Sequence, residues 1–88
     1  MVEHVDWLAP VDYAILEFFE EYDIMASPKV IAVNVEYDRR YIGKQCRTLA
    51  QLGLLGQDSE TGLYELTSSG RAFVEGELDA EELQPSVV

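Results

Sequence analysis

Ser27-Pro28-Lys29-Val30-Ile31-Ala32-Val33-Asn34-Val35-Glu36-Tyr37-Asp38-Arg39-Arg40-Tyr41-Ile42-Gly43-Lys44-Gln45-Cys46-Arg47-Thr48 is the stretch on which the fold of this chain turns. Ser27 ahead of Pro28 is an N-cap followed by a first-turn residue, and it predicts a short helix over 28–34 with Val30, Ile31 and Val33 as its buried face. Asp38 is a second N-cap. After it, Ile42, Cys46, Leu49 and Gly53 fall on one side at about 100° per residue, which predicts a longer helix over 38–52. Ala32 is small where two such helices would cross, and Val35 and Ile42 are apolar where the second must lock onto the first. Glu36 stands where the turn between them often has Gly. A left-handed turn there would carry a Cβ penalty, or the turn would use another geometry.

Outward from this pair, Pro10 can open a helix in which Ile15, Leu16, Phe18, Phe19 and Tyr22 recur at helical spacing, with Glu17, Glu20 and Glu21 opposite; the span is 10–23. On the other side, Gly53 ends the longer helix. Two short runs, 54–57 and 63–66, flank a polar segment and predict a β-hairpin with Gly62 in its loop. Thr67 caps a last helix whose apolar side is Ala72, Phe73 and Leu78. Residues 1–78 are expected to form one domain and 79–88 an acidic, frayed tail. The fold class is therefore mainly α with a small β-hairpin.

Charge is distributed unevenly over this chain, which has 88 residues and a formal net charge of −11. Residues 1–28 carry seven acids and no Lys or Arg; residues 29–47 carry five bases against Glu36 and Asp38; residues 48–88 carry eight acids against Arg71. The segments thus sum to −7, +3 and −7. A basic stretch inside an acidic chain points to a face kept positive for a polyanion, nucleic acid foremost. The acid excess fits a protein kept hydrated in high salt, or an ordinary acidic protein. A core this small is marginal alone, so a homodimer is plausible. With one cysteine, Cys46, there is no intrachain disulfide or thiolate cluster, and a reducing cytoplasm fits. No apolar run approaches the roughly 20 residues of a membrane span, and the N-terminus lacks the basic region of an export signal.

The order helix, short helix, turn, longer helix, hairpin, helix resembles the winged helix-turn-helix: a three-helix core, a wing and a C-terminal helix. The junctions sharpen the likeness. Leu49-Ala50-Gln51-Leu52-Gly53-Leu54-Leu55 and Tyr64-Glu65-Leu66-Thr67-Ser68-Ser69-Gly70-Arg71 resemble the helix-to-wing and wing-to-helix junctions of small phage-repressor-type winged-helix proteins of halophilic archaea. That resemblance implies a sequence-specific DNA-binding transcriptional regulator, a dimeric repressor, that inserts helix 38–52 into the major groove of double-stranded DNA. With Ile42 at zero, Arg40, Lys44, Arg47 and Gln51 fall at about 160°, 200°, 140° and 180°, opposite the apolar stripe. Arg39 and Arg40 lie in the first turn, from which base contacts usually come. Tyr41 and Thr48 flank the cations, while Ser27 and Lys29 are placed to hold phosphates at a helix N-terminus. Gly43, expected exposed on the same helix, would cost about 1 kcal/mol in a helix interior and so fits a place of close approach. Wings of the family often touch DNA with basic residues, but this tip offers Asp58 and Glu60, which a phosphate backbone would repel unless high salt screens them.

Two other readings remain open: a winged-helix protein-interaction module whose basic helix meets an acidic partner, and an acidic DNA mimic with no DNA binding of its own. His4 is the one histidine, so neither a catalytic triad nor a histidine metal site can be assembled within the chain. Cys46 reads as core. Trp7, with Val5 and Leu8, could close the domain or pair two subunits. Paired acids such as Glu20 with Glu21 and Glu81 with Glu82 read as solvated faces. No catalytic residues, cofactor, metal or small-molecule substrate are implied, and the chain is not expected to be an enzyme.

Overall fold

A computed structural model describes residues 8–77. Its elements follow in the order α1 (Pro10–Glu21), α2 (Pro28–Val35), α3 (Arg39–Gln51), β1 (Leu55–Gln57), β2 (Tyr64–Leu66) and α4 (Ser68–Val74). The expected tail 79–88, and the residues His4, Val5, Trp7, Leu78, Glu81 and Glu82, lie outside the described residues.

Each boundary has a chemical cause. α1 begins at Pro10, and the Asp12 carboxylate accepts from the Ala9 N–H at 2.8 Å, serving one of the donors a helix start leaves unmet. Ser27 Oγ accepts from the Val30 N–H at 3.3 Å to open α2. One Asp38 carboxylate oxygen accepts from the N–H groups of Arg40 and Tyr41 at 2.9 and 3.3 Å to open α3. Gly53, at φ +82°, ends α3: its N–H reaches the Ala50 carbonyl at 3.0 Å and the Leu54 N–H reaches that of Leu49 at 3.0 Å, the paired bonds of a Schellman stop. Glu36 is the strained point. It sits at φ 60°, ψ 39° as the C-cap of α2, so the turn is left-handed and a side chain carries it.

The core gathers one stripe from each element: Ile15, Leu16 and Phe19 of α1, Ile31 of α2, Ile42, Cys46 and Leu49 of α3, Leu54, Leu55 and Tyr64 of the wing, and Phe73 of α4, all nearly inaccessible. Full burial of an aliphatic or aromatic side chain contributes roughly 1.5–3 kcal/mol, so α3 is held chiefly by this stripe. Two expectations fail. Val30 and Val33 do not face the core; they are 44% and 75% exposed, and only Ile31 is buried, with Ala32 and Val35 half-buried. With Ile31 at zero, Val35 lies at about 40° but Val30 and Val33 at about 260° and 200°, so an eight-residue helix can bury only one of its valine edges. Tyr22, assigned to the apolar side of α1, is instead its extended C-cap and is 47% exposed.

The wing is a two-stranded antiparallel hairpin, with Leu55 opposite Leu66 and Gln57 opposite Tyr64. Ala26 adds a short bridge to Tyr64 that sequence reading did not foresee, since a single paired residue has no periodicity to reveal it. Thr67 closes the wing onto its neighbours: its hydroxyl lies 2.7 Å from the Gly53 carbonyl and 3.0 Å from that of Leu54, and its Oγ1 accepts from the Gly70 N–H at 2.9 Å. Gly70 is where α4 meets the α3–wing junction. A Cβ on it would fall on the Leu54 carbonyl oxygen and within 2.6 Å of Leu66 Cδ1.

These contacts set two expectations for stability. Gly70→Ala drives a methyl into main chain that cannot move without breaking the Thr67 lock, so urea unfolding is expected to register a loss of about 3 kcal/mol, at the upper end for overpacking. Glu36→Gly relieves the left-handed Cβ penalty of about 1–2 kcal/mol, offset in part by the freer unfolded chain; a net gain near 1 kcal/mol raises Tm by about 4–8 °C in a thermal melt.

Candidate nucleic-acid interface

Burial of Ile42, Cys46 and Leu49 turns the other side of α3 to solvent, and Arg39, Arg40, Tyr41, Lys44, Arg47 and Thr48 are all exposed there. Rotation is further fixed by Asp12, a carboxylate only 1% exposed, which accepts from the Gln45 side-chain amide at 2.7 Å as well as from Ala9. Asp12 thereby ties the start of α1 to the middle of α3. Nothing in the periodicity of either helix marks this bond, because it links residues 33 apart.

The positive residues divide into two groups. An open cleft of about 590 Å³ lies between the N-terminal end of α2 and α3, lined by Ser27, Pro28, Lys29, Arg39, Arg40, Gly43 and Arg47. Five of the eight residues chosen from sequence meet there. Lys44, Tyr41 and Thr48 do not line it; from Ile42 they lie at about 200°, 260° and 240°, on the flank of α3 away from α2. Tyr41 also packs edge-on to Tyr37, with ring centroids 6.2 Å apart and both residues more than a third exposed, an aromatic pair at the head of α3 that helical spacing does not reveal, because Tyr37 precedes the Asp38 cap.

Gly43 is corrected by the structure: it is buried, not exposed. An added Cβ would sit 3.9 Å from Pro28 Cβ and 3.8 Å from Arg47 Nη1, ordinary van der Waals contact, so Gly43 faces α2 without the packing requiring a glycine there. Ser27 Oγ is engaged as an acceptor by the cap, which leaves its O–H as a donor toward the cleft.

Among the described residues, the one ion pair joins Arg71 and Asp23 at 3.5 Å. Lys29, Arg39, Arg40, Lys44 and Arg47 meet no described carboxylate, in a chain with 17 acids and six bases. The wing tip is different. The Asp58 carboxylate accepts from both the hydroxyl and the N–H of Thr61, at 2.7 and 2.8 Å, and these bonds lower its pKa. Asp58 therefore organises the loop that Gly62 closes. No group of three or more His, Cys, Asp or Glu among the described residues could hold a metal, and no described helix is long and apolar enough to cross a membrane.

A hairpin packed against three helices, with an exposed cationic second helix in the helix-turn-helix, defines a winged helix-turn-helix protein. The chain belongs to the winged helix-turn-helix phage repressor family, which matches residues 1–86. Among solved structures it is similar to the PhiH1 repressor-like protein from Haloarcula marismortui, with a TM-score of 0.81 and 28% identity over 97% of both chains. No curated protein matches it.

Behind the interface, burial pushes the Cys46 thiol up to about 12; the nearby Asp12 charge adds to the effect and Arg47 opposes it. The folded thiol is thus expected to resist a thiolate-directed reagent at pH 8 and to react fully once the chain is unfolded in urea. The unfolded thiol ionises near its ordinary 9.0, so this group's contribution to stability is intact below that pH and is lost as pH rises from 9.0 toward 12. Urea titrations over that window should show a shallower decline for Cys46→Ala than for the parent chain.

Proposed function

We propose that this protein is a sequence-specific DNA-binding repressor that places α3 in the major groove. The observation that carries this reading is the set of five cations on α2 and α3 with no carboxylate partner among the described residues, on a chain of net charge −11. In water, exposed acids and bases have little to gain from pairing, but so acidic a surface offers partners everywhere. Cations left unpaired within it are available to phosphate.

The division of the positive residues suggests a division of labour. Lys29, Arg39, Arg47 and the Ser27 hydroxyl, gathered around the cleft at the head of α2, would grip backbone phosphates. Arg40, which lines the outer side of that cleft at about 160° from Ile42, and Lys44, with Tyr41 and Thr48 on the flank, would face base edges, Arg reaching guanine O6 and N7 and the Tyr41 or Thr48 side chain meeting a thymine methyl. The wing would contribute little, since its tip carries Asp58 and Glu60. A single α3 gives few contacts, so two copies on half-sites about one helical turn apart would supply the affinity that salt removes. Bound across a promoter, such a dimer would repress by occupying it.

Sequences selected from random DNA would give the probe. With that duplex, Arg40→Glu/Lys44→Glu is expected to weaken binding by a factor of about 100 or more, since two attractive contacts of roughly 1–3 kcal/mol each become repulsive. Unchanged affinity in this variant would sink the proposal. Lys29→Ala and Arg47→Ala should instead weaken all sequences alike and each reduce the slope of log affinity against log salt by about 1.

A further inference from the structure

At the other end of α2 lies a groove of about 270 Å³ that shares no residue with the cleft facing DNA. Glu17, Phe18, Glu21 and Tyr22 line it along α1, with Asn34 and Val35 opposite. The spacing makes two ridges. Glu17 and Glu21 are one helical turn apart, as are Phe18 and Tyr22, whose rings stand 5.3 Å apart at a tilt of 49°. Like charges at that spacing destabilise a helix, and neither carboxylate meets a cation among the described residues.

The charged groups of the groove, Glu17 and Glu21, are acceptors only. The Asn34 amide donates one N–H to the Val30 carbonyl at 2.8 Å, which leaves its Oδ1 as an acceptor beside its second N–H. The C-terminal end of α2 is the negative end of its dipole, and its last turn has no basic residue. The Tyr22 ring, 47% exposed, presents a π face. Carboxylates, a carbonyl-type oxygen, a helix C-terminus and aromatic faces around an apolar floor match one kind of group: a cation on an apolar stem.

We propose that this groove docks a segment of another protein that carries Arg or Lys beside an apolar side chain. The stem would lie along Phe18, Tyr22 and Val35 while its head meets Glu17 and Glu21. This chain cannot supply the occupant readily: residues 1–28 and 72–88 contain no Lys or Arg, Arg71 pairs with Asp23, and the remaining cations lie on the DNA-facing side. Setting aside a second copy as the occupant rests on the proposed DNA-binding role of those cations; because the two sites occupy opposite ends of α2, a docked partner leaves the basic cleft open.

The test is a titration of the ¹⁵N-labelled chain with the blocked peptide Leu-Arg-Phe-Arg-Leu, in about 0.15 M KCl, where screening sets in beyond about 8 Å. Amide shifts are expected at positions 14–22 and 34–35. Glu17→Gln/Glu21→Gln, which removes a repulsion and should fold, is expected to bind the peptide about tenfold more weakly, with its DNA affinity unchanged. Three results would overturn the proposal: shifts spread over all acidic faces, equal peptide affinity in the double variant, or groove shifts that follow protein concentration without peptide. The last would make the groove a contact between copies of this chain.

Discussion

Burial of Ile42, Cys46 and Leu49 on one side of α3 is the constraint on which the rest of this structure depends. These three side chains are at 0% exposure. Since a helix has a fixed turn angle, sealing one stripe sets the direction of every other side chain on it, and Arg40, Lys44 and Arg47 are thereby turned outward. The Asp12–Gln45 bond acts on the same degree of freedom. A buried carboxylate that lost its amide partner would cost about 1–3 kcal/mol, so it resists rotation of α3 about its axis as well as its displacement from α1.

The second organising feature is the junction of α3, the wing and α4. Leu52-Gly53-Leu54 and Thr67-Ser68-Ser69-Gly70 are a matched pair. The Thr67 hydroxyl meets the carbonyls of Gly53 and Leu54, in the link between α3 and the wing, and Gly70 supplies the space in which the Leu54 carbonyl lies. The wing thus follows rigidly from the helix that precedes it. Its charge fits that supporting role, with Asp58 engaged by Thr61 and no cation at its tip.

Electrostatics separates the two ends of α2. Its N-terminal end, with Lys29 and the α3 arginines, is positive, and its C-terminal end, beside Glu17, Glu21 and Glu36, is negative. In an acidic protein at high salt, where the Debye length falls to about 3 Å at 1 M, only groups within direct reach of a partner retain their effect. Clustering the cations on two short helices meets that limit better than spreading them would.

The sequence by itself determined the elements, their order and the polarity of α3, because caps, prolines and the helical repeat act within a few residues of one another. Ser27, Asp38, Gly53 and Thr67 each mark a boundary by satisfying or releasing backbone groups nearby, and the left-handed turn at Glu36 was legible as a problem the chain had to solve. Only the tertiary structure decided which valines of α2 were buried, that Gly43 faces Pro28, that Gly70 must be glycine, and that Asp12 reaches Gln45. Those outcomes depend on which surfaces distant segments present to each other. A helix of eight residues has too few turns for its periodicity to choose between two apolar edges, so the choice fell to what α1 and α3 could cover. The same packing split the cationic residues between a cleft and an open flank, a division that spacing along one helix cannot express.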